Sequence, residues 1–147
     1  DNRFSKIVSI ELGNSFYTSD VTDMYGMFSN CKALTNLNLG NNFITQNVTD
    51  MGQMFADCTS IKTLTLSNFD TGNVTNMKYM FFDCSNLTSL NLTSFSFQND
   101  VAITGMFYNV GKEATNKPIS IDMTPAGKAY IESKGDSGID SSYAKII

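Results

Sequence analysis

Hydrophobic and polar positions in this chain alternate between two periods. In residues 47–58, Val48, Met51, Met54, Phe55 and Cys58 are apolar, and 51, 54, 55 and 58 are spaced i, i+3, i+4, i+7. That spacing predicts one stripe of a short helix, whose start Asn47 or Thr49 can cap. Thr59-Ser60 predicts a turn. Ile61-Lys62-Thr63-Leu64-Thr65-Leu66 then switches to period two, with Leu64 and Leu66 inward and Thr63 and Thr65 outward, as a strand requires. Phe69 is a further inward anchor, and Asp70-Thr71-Gly72-Asn73 is turn chemistry that leads back to the next helical stripe.

The same unit recurs. Asp20-Val21-Thr22-Asp23-Met24, Asn47-Val48-Thr49-Asp50-Met51 and Asn73-Val74-Thr75-Asn76-Met77 follow one another at spacings of 27 and 26 residues, and a worn fourth copy starts near Val101. Each copy carries Met-Phe (Met27-Phe28, Met54-Phe55, Met80-Phe81, Met106-Phe107), and three then carry a cysteine. Inward columns are read off by the same spacing: Leu37, Leu64 and Leu90; Leu39, Leu66 and Leu92, both continued backwards by Ile10 and Leu12; and Phe16, Phe43, Phe69 and Phe95. One unit cannot bury its Leu, Met and Phe alone, so neighbours must supply the walls. The fold class this predicts is an α/β solenoid, a right-handed stack of coils of about 26 residues with a parallel β-sheet on one face and short helices on the other. Five strands with four helical segments between them are expected, the first within residues 7–12 and another over Ile119, Ile121 and Met123.

The chain of 147 residues reads as a single domain. Residues 1–15 hold the first strand, residues 16–110 the repeats, and residues 111–147 the last strand and a C-terminal helical cap. In the cap, Thr124 is the expected N-cap, Pro125 the first helical residue and Gly135 the C-terminal stop. Residues 143–147 are expected to form a short strand.

Net charge is −4, and the excess lies within the repeats, where seven aspartates face Lys32, Lys62 and Lys78. An acidic surface with a single arginine in the chain argues against nucleic acid or anionic lipid as partner. No apolar run is long enough to cross a bilayer. Starting at Asp1 rather than Met, the chain reads as a mature or trimmed fragment.

Catalytic chemistry has little to work with. The absence of histidine removes Ser/His and Cys/His arrangements, and no phosphate-cradling glycine motif appears. No enzyme, cofactor or metal site is therefore expected. Cys31, Cys58 and Cys84 recur with the repeat and in register point the same way, which suits neither a disulfide nor a tetrahedral metal site; Val110 stands at the fourth position, as packing tolerates. The methionine stripe beside the phenylalanines reads as core filler. Column neighbours Asp23 and Asp50, or Asp57 and Asp83, could share a calcium ion, but such residues more often cap turns. Four Asn-x-Thr sequons, at Asn47, Asn73, Asn86 and Asn91, fall inside the repeat and are better explained by capping and the strand face.

The remaining candidate site is the outward strand face, with Asn36, Asn38, Thr63, Thr65, Ser89 and Asn91 as its ligand-binding residues. It is small, polar and almost uncharged, and it lacks the Trp, Tyr and Arg anchors of tight interfaces, so contacts there would be weak per coil.

The frame Asn-Val-Thr-Asp-Met-x-x-Met-Phe-x-x-Cys-x-x-Leu-x-x-Leu-x-Leu-x-x-Phe-Asp-Thr resembles the BspA-type leucine-rich repeats of bacterial surface proteins and mycoplasma-type surface lipoproteins, over about residues 16–107. The resemblance implies a solenoid displayed at the cell surface or secreted. It also implies adhesion to host, matrix or neighbouring-cell protein or glycan, with no catalytic residues to carry over. The fourth copy, Ile103-Thr104-Gly105-Met106 without a cysteine, departs from the frame. The expected function is a non-enzymatic, monomeric surface binding module with a protein or glycan ligand; the alternative is a spacer segment of a larger surface protein.

Overall fold

Equivalent residues of neighbouring copies pair in parallel. A computed structural model describes residues 3–98 and 100–147. After a 3₁₀ turn at Arg3–Lys6, strand β1 (Ser9–Glu11) pairs with β2 (Asn36–Asn38) in the register Ser9↔Asn36, Ile10↔Leu37, Glu11↔Asn38, which is the repeat spacing itself. Strand β3 (Ser89–Asn91) pairs in parallel with β4 (Ile119–Asp122), and β4 with β5 (Ala144–Ile146). Strands β1, β2 and β3 each turn their central apolar residue inward, while β4 buries Ile119 and Ile121 and β5 buries Ala144 and Ile146, all at the period-two spacing.

Residues 61–66 depart from the expected strand. Their burial alternates as expected, with Leu64 and Leu66 buried and Thr63 and Thr65 exposed. Yet among the described residues the backbone here makes no ladder to β2. On the β3 side its one backbone–backbone bond is from the Thr88 N–H to the Lys62 carbonyl at 3.0 Å, with the Thr88 and Ser94 hydroxyls donating to the Lys62 and Leu66 carbonyls at 3.1 Å. The result is a two-stranded and a three-stranded sheet rather than one sheet. Side-chain alternation reports which face is buried. It does not report whether two backbones lie close enough to bond.

Among the described residues the expected short helices between the strands are absent too. Residues 51–57 form a run of tight turns, as do their equivalents in the other copies. The reason lies in a backbone pattern repeated every four residues. Gly26 and Asn30, Gln53 and Asp57, Tyr79 and Asp83, and Gly105 and Asn109 all have φ between 54° and 64°. A right-handed helix cannot contain such residues. In the turn from Met51 to Met54, closed by Met54 N–H to Met51 C=O at 3.2 Å, the positive-φ Gln53 is third, where a type II turn needs it. The remaining N–H groups point along the stack. Met51, Gln53, Phe55 and Asp57 donate to the carbonyls of Asn76, Lys78, Met80 and Phe82 at 2.8–2.9 Å. Met24, Gly26, Phe28 and Asn30 do the same to the second copy, and Met77, Tyr79, Phe81 and Asp83 to the fourth. This side, called the turn ribbon below, is thus a continuous backbone ladder across four copies.

Between ribbon and strands lies the core. Phe28, Phe55, Phe81 and Phe107 stack in series with ring centroids 5.6–6.2 Å apart, and Phe43, Phe69 and Phe95 form a second series at 5.8–6.1 Å. All are buried. Phe16, expected in the second column, is 38% exposed, as is Met27, because both belong to the first copy and no earlier copy covers them. A buried threonine column, Thr18, Thr45 and Thr71, accompanies the rings. The Thr45 hydroxyl donates to the Asp70 carbonyl at 2.9 Å and accepts the Asp70 N–H at 2.8 Å; Thr71 does the same with Ser96. Each hydroxyl thereby satisfies a backbone donor and a backbone acceptor of the next copy, inside the core, where an unpaired polar group is costly.

Helix α1 (Pro125–Lys134) follows, with Thr124 Oγ1 accepting the Gly127 N–H at 3.1 Å and Gly135 at φ 68° as its C-cap. Its Tyr130 ring stacks on Phe97 at 5.9 Å, and the Tyr130 hydroxyl donates to the Val101 carbonyl at 2.7 Å. The chain after α1 extends the ribbon by two bonds, Gly105 N–H to Asp136 C=O and Phe107 N–H to Ser137 C=O, both 2.8 Å. Residues 123–147 therefore lie over the fourth copy.

Candidate functional site

The six expected strand-face residues are divided by the break in the sheet. Asn36, Asn38 and Thr65 line one groove of about 530 Å³, together with Glu11, Asn41 and Asn68. Thr63 is exposed beside it but does not line it, and Ser89 and Asn91 sit on β3, in the other sheet. The groove lies where residues 61–66 make no backbone ladder to β2. The Asn36 amide is held by Ser9 Oγ at 3.2 Å and Glu11 Oε1 at 2.7 Å, and Asn38 Oδ1 accepts the Gly40 N–H at 3.1 Å. Such bonds fix carboxamide orientation and leave part of each amide facing the groove. A second depression, of about 490 Å³, lies between α1 and β5, lined by Ile131, Ile139 and Ile146 with Lys128 and Lys145 at its edge.

The cysteines are buried and free. Cys58 Sγ donates to the Phe28 carbonyl and Cys84 Sγ to the Phe55 carbonyl, both at 3.2 Å, so each thiol reaches the preceding copy's backbone. Burial pushes the Cys58 thiol up to about 12, with smaller contributions from Cys31 and Asp57, and raises Cys31 and Cys84 as well. A thiol held neutral is a poor nucleophile and a poor metal ligand.

The aspartate column closes turns. Asp23 Oδ1 accepts the Tyr25 N–H and Asp50 Oδ1 the Gly52 N–H, each at 2.8 Å, and Asn76 Oδ1 accepts the Lys78 N–H at 3.0 Å. The Asn76 amide also donates to both Asp50 carboxylate oxygens, at 2.9 and 3.0 Å. Among the described residues no group of three His, Cys, Asp or Glu side chains is placed to hold a metal. The sequon asparagines Asn47, Asn73 and Asn86 donate to the Ser19, Gln46 and Thr59 carbonyls at 2.7–2.8 Å, so each amide bonds the copy before it.

The sequence reading missed an exposed aromatic cluster on the turn ribbon. Tyr79 and Phe82 meet edge to face at 5.8 Å, and Phe82 stacks on Tyr108 at 5.3 Å. Tyr79 is 38% exposed and Tyr108 50%. The signal was present in the repeat columns. Position 79 follows Gly26 and Gln53, and position 82 follows Ser29 and Ala56, so aromatic residues replace small or polar ones in the third and fourth copies.

Equivalent residues paired in parallel at the repeat spacing, with cross-copy backbone bonds from both sides, define a repeat protein whose copies are held face to face. The chain belongs to the family described as Mycoplasma protein of unknown function, DUF285, whose model matches residues 2–121. No curated protein and no solved structure matches it. Among the described residues no helix is long and apolar enough to cross a membrane.

Proposed function

We propose that the chain is a non-enzymatic binding module: a leucine-rich-repeat-like solenoid of the BspA type, displayed at the cell surface or secreted, that adheres to protein or glycan. The parallel register of β1 on β2 at 27 residues, the ribbon bridges at 26–27 and the ribbon ladder support the solenoid reading, and the chain's lack of histidine supports a binding role over acid–base catalysis. The observation that carries the binding role is the strand-face groove, where Asn36, Asn38, Asn41, Asn68 and Thr65 converge with Glu11 over a Leu37 and Leu39 floor. Carboxamides and hydroxyls both donate and accept, so this lining suits a polar, uncharged ligand surface. Weak contacts of this kind gain strength when several engage together.

The test is binding of the purified chain to an array of extracellular matrix proteins and glycans, with and without calcium. A saturable hit that Asn38→Asp and Thr65→Lys weaken, while Asn91→Asp leaves it unchanged, supports the groove. Equal loss on Asn91→Asp spreads the site over the whole strand face. No hit across the array favours a spacer role.

A further inference from the structure

The turn ribbon closes in other copies without the aromatic cluster found here. Tyr79 holds φ 57°, a left-handed conformation that is an outlier for a bulky side chain, at a column position that is glycine in the first and fourth copies. Its ring lies against Gly105, where any Cβ would collide with it. Phe82 stands where the second copy has Ala56, and Tyr108 where the first has Ser29, so the ribbon closes without either ring. Three bulky, partly exposed rings, one of them held at positive φ, mark a surface kept for contact.

Beside the rings runs a column of carboxylates and amides: Asn30, Asp57, Asp83 and Asn109, each one residue after the Ser29, Ala56, Phe82 and Tyr108 column. Asp83 Oδ1 accepts from the Asn109 amide at 3.2 Å, so this column is joined between the third and fourth copies just as the neighbouring column is by the Phe82–Tyr108 stack. Lys78 is the exposed cation nearest in sequence. Aromatic faces flanked by carboxylates recognise a group that is both planar and cationic. The guanidinium stacks on a ring and pairs with a carboxylate in the same geometry, which an ammonium does less well. The chain's net charge of −4, all of it from the repeats, attracts such a partner from a distance.

We infer that the strip formed by Tyr79, Phe82 and Tyr108 with Asp57 and Asp83 is a docking surface for an arginine-bearing extended segment of a partner protein. It lies on the turn ribbon, on the other side of the core from the strand-face groove, and does not depend on that groove's role.

The experiment is fluorescence anisotropy of the whole chain with three labelled peptides, (Gly-Arg)4, (Gly-Lys)4 and (Gly-Ser)4, at low and moderate salt. The expected order is arginine, then lysine, with no binding of the serine peptide. Tyr79→Gly with Phe82→Ala and Tyr108→Ser restores residues the other copies use. It should weaken the arginine peptide about tenfold or more, since each exposed cation–π contact is worth about 0.5–1 kcal/mol, or about 2–5-fold. The thermal midpoint should shift by only a few degrees. Asp57→Asn with Asp83→Asn should weaken the arginine peptide and flatten its salt dependence, and Thr115→Ala, an exposed neutral change outside both the strip and the groove, should leave it unchanged. Three outcomes overturn the inference. They are no binding of the arginine peptide at low salt, equal affinity for arginine and lysine peptides unchanged by the aromatic triple variant, or loss of the fold in that variant, which would make the rings structural. A glycan whose binding is lost in the folded triple variant, with the arginine peptide silent, would reassign the strip to carbohydrate.

Discussion

The two long sides of this molecule are built by different means from the same repeat. On the ribbon side, backbone bonds join each copy to the next without interruption through four copies, and positive-φ residues every fourth position make that possible. On the strand side, pairing is confined to three-residue and four-residue strands and lapses at residues 61–66. The side that resembles a helix in sequence is therefore the one with the continuous ladder, and the side that resembles a sheet is the one with the break. The groove lined by Asn36, Asn38 and Thr65 lies at the same break.

Substitutions can break or sharpen that contrast. The largest effect is expected from Phe81→Ala, which removes a fully buried ring stacked between Phe55 and Phe107 under the ribbon. A loss of about 3–5 kcal/mol in urea unfolding is expected. Leu64→Ala, beneath the break and already 8% exposed, should cost about 2 kcal/mol, at the low end for a buried leucine. Equal losses would mean the two sides are equally well packed.

Thr45→Val keeps shape but strips the hydroxyl that both donates to and accepts from Asp70. Leaving those backbone groups unpaired in the core should cost about 1–3 kcal/mol. A neutral result would mean water replaces the hydroxyl and the threonine column carries no cross-copy bond.

The thiols give a pH prediction. The Cys58 thiol titrates at about 12 when folded, against 9.0 for an unburied thiol, so the unfolded chain loses this proton first as pH rises. Stability from the neutral thiol is complete below about pH 9. It falls between about pH 9 and 12, by about 1.4 kcal/mol per pH unit for each such group. Cys58→Val should reduce this alkaline slope while costing less than about 1.5 kcal/mol at neutral pH, since the Phe28 carbonyl keeps its bond from the Cys31 N–H and Val110 fills the same column position. An unchanged slope would place the titration elsewhere. The smallest effect is expected from Asn38→Ala, on the exposed strand face, within about 0.5 kcal/mol.

Much of this was legible in the sequence, and the rest was hidden for definite reasons. The columns of Leu and Phe, the register of β1 on β2, and α1 with its Thr124 and Gly135 ends follow from spacing and end chemistry. The ribbon was misread because Met51, Met54, Phe55 and Cys58 are buried in both a helix and a run of alternating turns, so the apolar stripe does not discriminate between them. The polar positions do. Gly26 and Asn30, and Gly105 and Asn109, are pairs of positive-φ-tolerant residues four apart, and Asp57 and Asp83 hold the second position in the middle copies, which argues against a helix; Gln53 and Tyr79 at the first position mask the signal there. The break at residues 61–66 left no mark, because Leu64 and Leu66 are buried whether or not their backbone is paired. Of the candidate site, the sequence placed Asn36, Asn38 and Thr65 on one face but could not show that a recess gathers them and excludes Ser89 and Asn91. The aromatic strip was visible only by comparing columns across copies.

Native-state hydrogen exchange, resolved by residue, tests the contrast most directly. The ribbon amides of Met51, Gln53, Phe55, Met77, Tyr79 and Phe81 should exchange only through global unfolding, and those of residues 63–66 by local opening at far lower free energy. Equal protection on the two sides, or faster exchange from the ribbon, would contradict the account.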